Sequence, residues 1–118
     1  MGEGLGKGAT NIFYMCWHKI AETTSELFKD GNNIVEIDLG DKKVCVVKWK
    51  HEIKACAEKC PHAGAKMVDG YLDALGNIVC PLHKYKFNLE KGRNITGEGY
   101  FLKTYLIEQR ADGIFIKI

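Results

Sequence analysis

The chain predicts an all-β fold, an antiparallel sandwich or barrel carrying a small subdomain made of two loops. Three observations carry that reading. About nine short runs alternate or are rich in β-branched residues, and turn-prone residues such as Gly31, Gly40, Gly92 and Gly113 separate many of them. The one helical signal is short. Two Cys/His pairs, at 60–62 and 80–83, each sit between short runs and so fall on loops.

In chain order, residues 13–21 are apolar-rich and read as a first strand. Residues 23–28 read as one helical turn with Thr23 or Thr24 as cap, since a hydroxyl can accept an orphan N–H at a helix start. Asp30-Gly31-Asn32-Asn33 breaks the chain. Residues 34–39 alternate, Gly40-Asp41 turns, and 44–49 return, which makes a hairpin. Residues 52–57 lead into the first loop. Residues 71–76 are turn-rich, 77–79 feed the second loop and 85–89 leave it. Glu90-Lys91-Gly92-Arg93 turns again. Residues 101–109 and 114–118 form a last hairpin around Ala111-Asp112-Gly113. Many short strands with regular turns fit a sandwich or barrel. Residues 1–11 read as a flexible Gly-rich tail, 12–118 as a single domain, and about 55–89 as its loop subdomain.

The chemistry lies in Cys60-Pro61-His62 and Cys80-Pro81-Leu82-His83, with seventeen residues, 63–79, between the pairs. Each loop offers one soft sulfur and one imidazole nitrogen. One or two intervening residues let a tight turn aim both at neighbouring metals. Pro61 and Pro81 fix φ and carry no N–H, which stiffens each turn beside its cysteine. Nearby backbone N–H groups can then point at sulfur. Gly64 is expected where a Cβ would clash with the turning chain. A tetrahedral zinc site also uses two Cys and two His. Its usual order places both Cys in one pair and both His in the other, whereas each pair here is mixed.

The order Cys-x-His, then Cys-x-x-His, resembles the Rieske family, in which one iron of a 2Fe–2S cluster takes two cysteines and the other takes two histidines. The resemblance runs from about Phe13 onward. It implies a Rieske-like antiparallel sandwich or barrel with a small cluster-binding subdomain. It also implies one 2Fe–2S cluster per chain, with Cys60, Cys80, His62 and His83 as ligands. Two thiolates leave an oxidised core of two ferric ions and two sulfides neutral, and one electron takes it to −1. Four thiolates would make the same step run from −2 to −3. The mixed ligand set therefore raises the potential, to roughly −150 to +300 mV against about −400 mV for all-cysteine plant-type clusters.

High-potential members of the family carry two further loop cysteines, joined as a disulfide, and a serine and a tyrosine that donate to cluster sulfur. The matching positions here are Ala65, Leu82, Tyr85 and Phe87. The resemblance is therefore to a low-potential, ferredoxin-type protein. Lys84 stands where glycine often follows the second His.

At 118 residues the sequence has room for one core. The apolar share of 46% and charged share of 27% are ordinary for a globule. No apolar run approaches the roughly 20 residues of a membrane span, and no secretory signal is visible. No membrane anchor and no second, mononuclear-iron domain are expected. The net charge of +2 without a basic run gives no sign of a nucleic-acid partner. Cys16 and Cys45 sit in apolar stretches and read as small buried hydrophobes, and Cys56 as a strand residue near the first loop. Unpaired thiols suit a reducing, cytoplasmic compartment. His18 and His51 read as strand or surface groups.

Three functions fit this reading. One is a soluble carrier that takes electrons from a flavin reductase and passes them to an oxygenase or similar acceptor, without catalysis of its own. The second is a small subunit of a larger reductase such as assimilatory nitrite reductase. The third is a zinc-held interaction module. For a carrier, the resemblance implies docking at His62 and His83. Ala63, Gly64, Pro81 and Leu82 would surround them, with Lys66, Lys84 and Lys86 at the rim.

Overall fold

The computed structural model describes residues 16–62 and 64–118. The chain runs through β1 (Trp17–Ala21), α1 (Thr24–Leu27), β2 (Ile34–Asp38), β3 (Lys43–Trp49) and β4 (Glu52–Ala57). A 3-10 turn at Met67–Asp69 follows, then β5 (Tyr71–Leu72), β6 (Ile78–Val79) and β7 (Lys86–Phe87). β8 (Thr104–Tyr105), β9 (Ile107–Arg110) and β10 (Gly113–Lys117) complete it. The strands form three antiparallel sheets, ordered β1-β10-β9, β2-β3-β4-β8 and β5-β6-β7. The expected all-β architecture is present. The expected tail at 1–11 and residues 13–15 of the expected opening strand lie outside the described residues; Cys16 precedes β1, which begins at Trp17.

The middle sheet organises the molecule because β3 is apolar on both faces. Val44, Cys45, Val46 and Val47 run without a polar break, and all four are fully buried. Alternation then sends them in opposite directions. Val44 and Val46 join Ile53, Ala55, Phe28, Ile114 and Ile116 in a core toward β1 and β10. Cys45 and Val47 join Cys56, Met67, Ile78, Phe87 and Leu102 in a second core beneath the Cys/His loops. Burying a valine side chain stabilises by about 1.5–3 kcal/mol, so this one strand anchors both layers.

Local chemistry sets the connections. Thr23 Oγ1 accepts the Glu26 N–H at 3.1 Å and caps α1, while Glu26 Oε1 accepts the Glu22 N–H at 2.8 Å. β3 and β4 are joined by a two-residue turn, Lys50-His51, with Trp49 opposite Glu52. Lys50 adopts φ +57° there, a left-handed value that such turns demand. In the β5–β6 turn, Asp73 Oδ1 accepts the N–H groups of Leu75 and Asn77 at 2.9 and 3.0 Å.

Two readings are corrected. Residues 101–109 are not one strand: β8 pairs with β4, whereas β9 pairs with β10. The chain changes sheets at Leu106, which is 65% exposed. Cys16 is exposed rather than buried; only its backbone is tied in, through Ile118. Cys45 and Cys56 are buried strand residues as expected, and His18 and His51 are exposed.

Candidate metal centre

Each Cys/His pair is held by its own closed loop. In the first, the Cys60 N–H donates to Ala65 C=O at 2.8 Å and the Gly64 N–H to Cys60 C=O at 2.9 Å. A ladder bridge between Lys59 and Lys66 closes the loop at its base. Gly64 has φ +72°, and nothing lies within 4 Å of the position its Cβ would take. The glycine is therefore required by conformation and not, as the sequence reading had it, by a clash. In the second loop the Cys80 N–H donates to Tyr85 C=O at 2.8 Å. Lys84 follows His83 at φ +62°. A side chain in that left-handed region costs roughly 1–2 kcal/mol, which explains why glycine suits this position better.

The loops bring the four residues together two by two. Cys60 is 2% exposed and Cys80 fully buried, and their thiols lie within hydrogen-bonding reach of each other. Burial pushes the Cys80 thiol up, the Leu82 N–H directed at its sulfur pulls it down, and the neighbouring Cys60 raises it again. The rings of His62 and His83 lie 4.9 Å apart, centroid to centroid. His62 Nδ1 is buried without a hydrogen-bond partner. A buried ring nitrogen without a partner is costly unless something outside the protein chain binds it. Paired sulfurs below, paired imidazoles above and an orphaned nitrogen fit a binuclear group with two soft and two nitrogen ligands.

The surroundings of the two histidines differ. The Tyr85 ring lies 4.1 Å from the His62 ring at 33°, and the Tyr100 ring lies 5.6 Å from it. The two tyrosines stack on each other at 6.0 Å. Burial, Glu98 and Tyr100 together hold the Tyr85 phenol above its ordinary range. Tyr100 was missed by sequence reasoning. It comes from a separate loop, shaped by Asn94 Oδ1 accepting the Glu98 N–H at 2.6 Å and the Gly99 N–H at 3.2 Å. Only Gly97 and Gly99 around Glu98 hint at a tight turn, and nothing in the sequence hints at its destination.

The lysine rim is thinner than expected. Lys66 pairs with Glu36 at 3.6 Å and Lys86 with Asp73 at 3.4 Å. Lys84 instead lies over the Tyr71 ring, 5.5 Å from its centroid. Leu82 is 47% exposed at the tip. Ala63 lies outside the described residues. Phe87 is fully buried beneath the loops and offers no hydroxyl.

The chain is similar to several known proteins. The chain is 27% identical over 79 residues to the ferredoxin component of an alkene monooxygenase system from Xanthobacter autotrophicus. That match covers 67% of this chain and 65% of the relative. It is 44% identical over 57 residues to apoptosis-inducing factor 3 of Homo sapiens, covering 48% of this chain and 9% of that protein. A solved chain from a complex of reduced oxygenase and oxidised ferredoxin in carbazole 1,9a-dioxygenase superposes with a TM-score of 0.70. Its identity is 22%, and the match covers 85% of this chain and 91% of that one. The family model for the Rieske [2Fe-2S] domain matches residues 15–103, a span that holds both Cys/His loops and strands β1 to β7; the chain belongs to the Rieske [2Fe-2S] domain family.

Proposed function

We propose that the protein is a soluble one-electron carrier of the cytoplasm, a single cluster domain over residues 12–118. Cys60 and Cys80 ligate one iron of its 2Fe–2S cluster, and His62 and His83 ligate the other. When bound, the cluster takes up and gives back one electron. The observation that carries the reading is the pairwise arrangement: two adjoining buried thiols, two adjoining imidazoles, and a His62 Nδ1 without a hydrogen-bond partner among the described residues. The backbone fixes both loops, and the Leu82 N–H stabilises charge on the Cys80 sulfur. The chain's part is thus to hold four ligands still and keep the thiolates from water.

The partners in this reading are a flavin reductase as donor and an oxygenase or similar acceptor. The ferredoxin component of a monooxygenase system and the oxygenase–ferredoxin complex among its likenesses support the choice of acceptor. Docking would take place at the histidine end, where imidazole edges reach solvent and the sulfurs do not. No helix among the described residues is long and apolar enough to cross a membrane. Metal and acid-labile sulfide analysis, with an electron paramagnetic resonance spectrum of the dithionite-reduced protein, tests the proposal. Two irons and two sulfides per chain are expected, and zinc without sulfide would refute it.

A further inference from the structure

The two sides of the histidine end differ in cover and in charge. His62 is half-buried, and two stacked tyrosine rings stand against it, Tyr85 at 4.1 Å and Tyr100 at 5.6 Å. His83 is exposed, and the same Tyr85 ring is 6.2 Å away. Beside His62 stands Glu98, whose carboxylate is close enough for its charge to interact with His62 and Tyr85. Thr96 Oγ1 donates to Glu98 and keeps it in place. Beside His83 stand the exposed Leu82 and Lys84.

Lys84 is the informative residue. It holds φ +62°, which glycine would adopt freely and lysine does not. Strain kept at a site where a neutral, unstrained residue would serve points to a use for the side chain. Lys66 and Lys86 are paired with Glu36 and Asp73, and Lys59 lies at the base of the first loop rather than at the tip. Lys84 has an aromatic ring beneath it instead of a carboxylate, so its charge remains available to an approaching surface.

We infer that electron exit is one-sided: it runs past His83, where Lys84 receives an acidic surface of the redox partner, while Tyr85 and Tyr100 close the His62 side. This rests on the carrier reading above. Charge complementarity selects the partner chemistry. An acidic patch is drawn to Lys84 and repelled by Glu98, and Leu82 supplies the small apolar contact between them. An interface of this kind is small and short-lived, as a carrier needs.

The test uses the full, iron- and sulfide-loaded chain and its Tyr100→Ala, Tyr100→Phe and Lys84→Gly variants. Diethyl pyrocarbonate labelling read by mass spectrometry reports access to each ring. His83 should label several-fold faster than His62. Tyr100→Ala should speed His62 labelling, and Tyr100→Phe should not, because the ring and not the hydroxyl is the cover. The reduced protein is then oxidised by ferricyanide, an anion, and by hexaammineruthenium(III), a cation. Each takes one electron and becomes ferrocyanide or hexaammineruthenium(II).

Lys84→Gly should slow the ferricyanide reaction several-fold at low salt and speed the ruthenium reaction, with both effects fading as salt rises. The melting temperature should rise, since the strain is relieved. Equal labelling of the two histidines, or a Lys84→Gly effect of the same sign on both oxidants, overturns the inference. Native labelling and the Lys84→Gly pair decide the matter even where Tyr100→Ala does not fold. A native protein without iron and sulfide instead overturns the carrier reading, and its lack of colour shows this before any rate is taken.

Discussion

Cys45 stands directly opposite Cys56 across β3 and β4, both fully buried, in the same core as Cys60 and Cys80. The hydrogen bond from Cys45, then burial, push the Cys56 thiol well up. Four cysteine sulfurs thus share one core, but only two of them lie on the Cys/His loops. Cys60→Ser should abolish the visible spectrum. Cys56→Ser should keep it, at a cost of about 1–3 kcal/mol in denaturant unfolding for the buried hydroxyl. Loss of the spectrum in Cys56→Ser would show that the wrong sulfur has been assigned.

The midpoint potential should lie near the low end of the family range, roughly −150 mV. No loop disulfide can form between Ala65 and Leu82, Phe87 has no hydroxyl, and Tyr85 lays its ring on His62. Phe87→Tyr should raise the potential, because a new donor near sulfur favours the reduced, more negative state. Protein-film voltammetry measures both values, and a native midpoint clearly above zero contradicts the assignment of donors.

Acid stability should depend on Asp73. Burial works against its carboxylate, but the Asn77 and Leu75 N–H groups, the Asn77 amide and Lys86 outweigh burial and hold its pKa below the usual carboxylate value. A depressed native pKa stabilises in full above the unfolded value, about 3.9, and that stability is lost as pH falls through the native value. Asp73→Ala should cost about 1–3 kcal/mol at neutral pH. It should also flatten the fall of stability below pH about 4, as followed by circular dichroism.

Leu82→Glu places a negative charge on the exposed tip beside His83. It should slow electron delivery to the physiological acceptor while leaving the absorption spectrum and potential nearly unchanged. Stopped-flow mixing with the acceptor reads the rate. An unaltered rate would move the docking surface elsewhere, or favour a fixed subunit whose histidine end is not a docking face.

The parts written locally were legible in the sequence. Alternation and turn residues identified β2, β3 and β4 to within a residue or so, and the spacing of the two Cys/His boxes identified the loops. The turn capped by Thr23 was legible for the same reason. What was not legible depends on distant partners. The break at Leu106 is invisible because an apolar residue there continues the pattern of a strand, although its neighbours pair in different sheets. The ion pairs of Lys66 and Lys86 reach to Glu36 and Asp73, far away in the chain. Tyr85 and Tyr100 share no local pattern, and only the folded loop puts one on the other.

The loops that carry the four Cys and His residues are closed by main-chain bonds alone: Cys60 to Ala65, Gly64 to Cys60, and Cys80 to Tyr85. No side chain at 61, 82 or 84 makes any of these closures. The backbone that holds the Cys/His residues and the side chains at the proposed docking tip are therefore separable to selection. If the carrier docks at the histidine end as proposed, substitutions at Leu82 and Lys84 would re-address the molecule to a new client while the loop backbone is inherited unchanged. One scaffold of this kind can serve many redox systems through drift at a few tip residues.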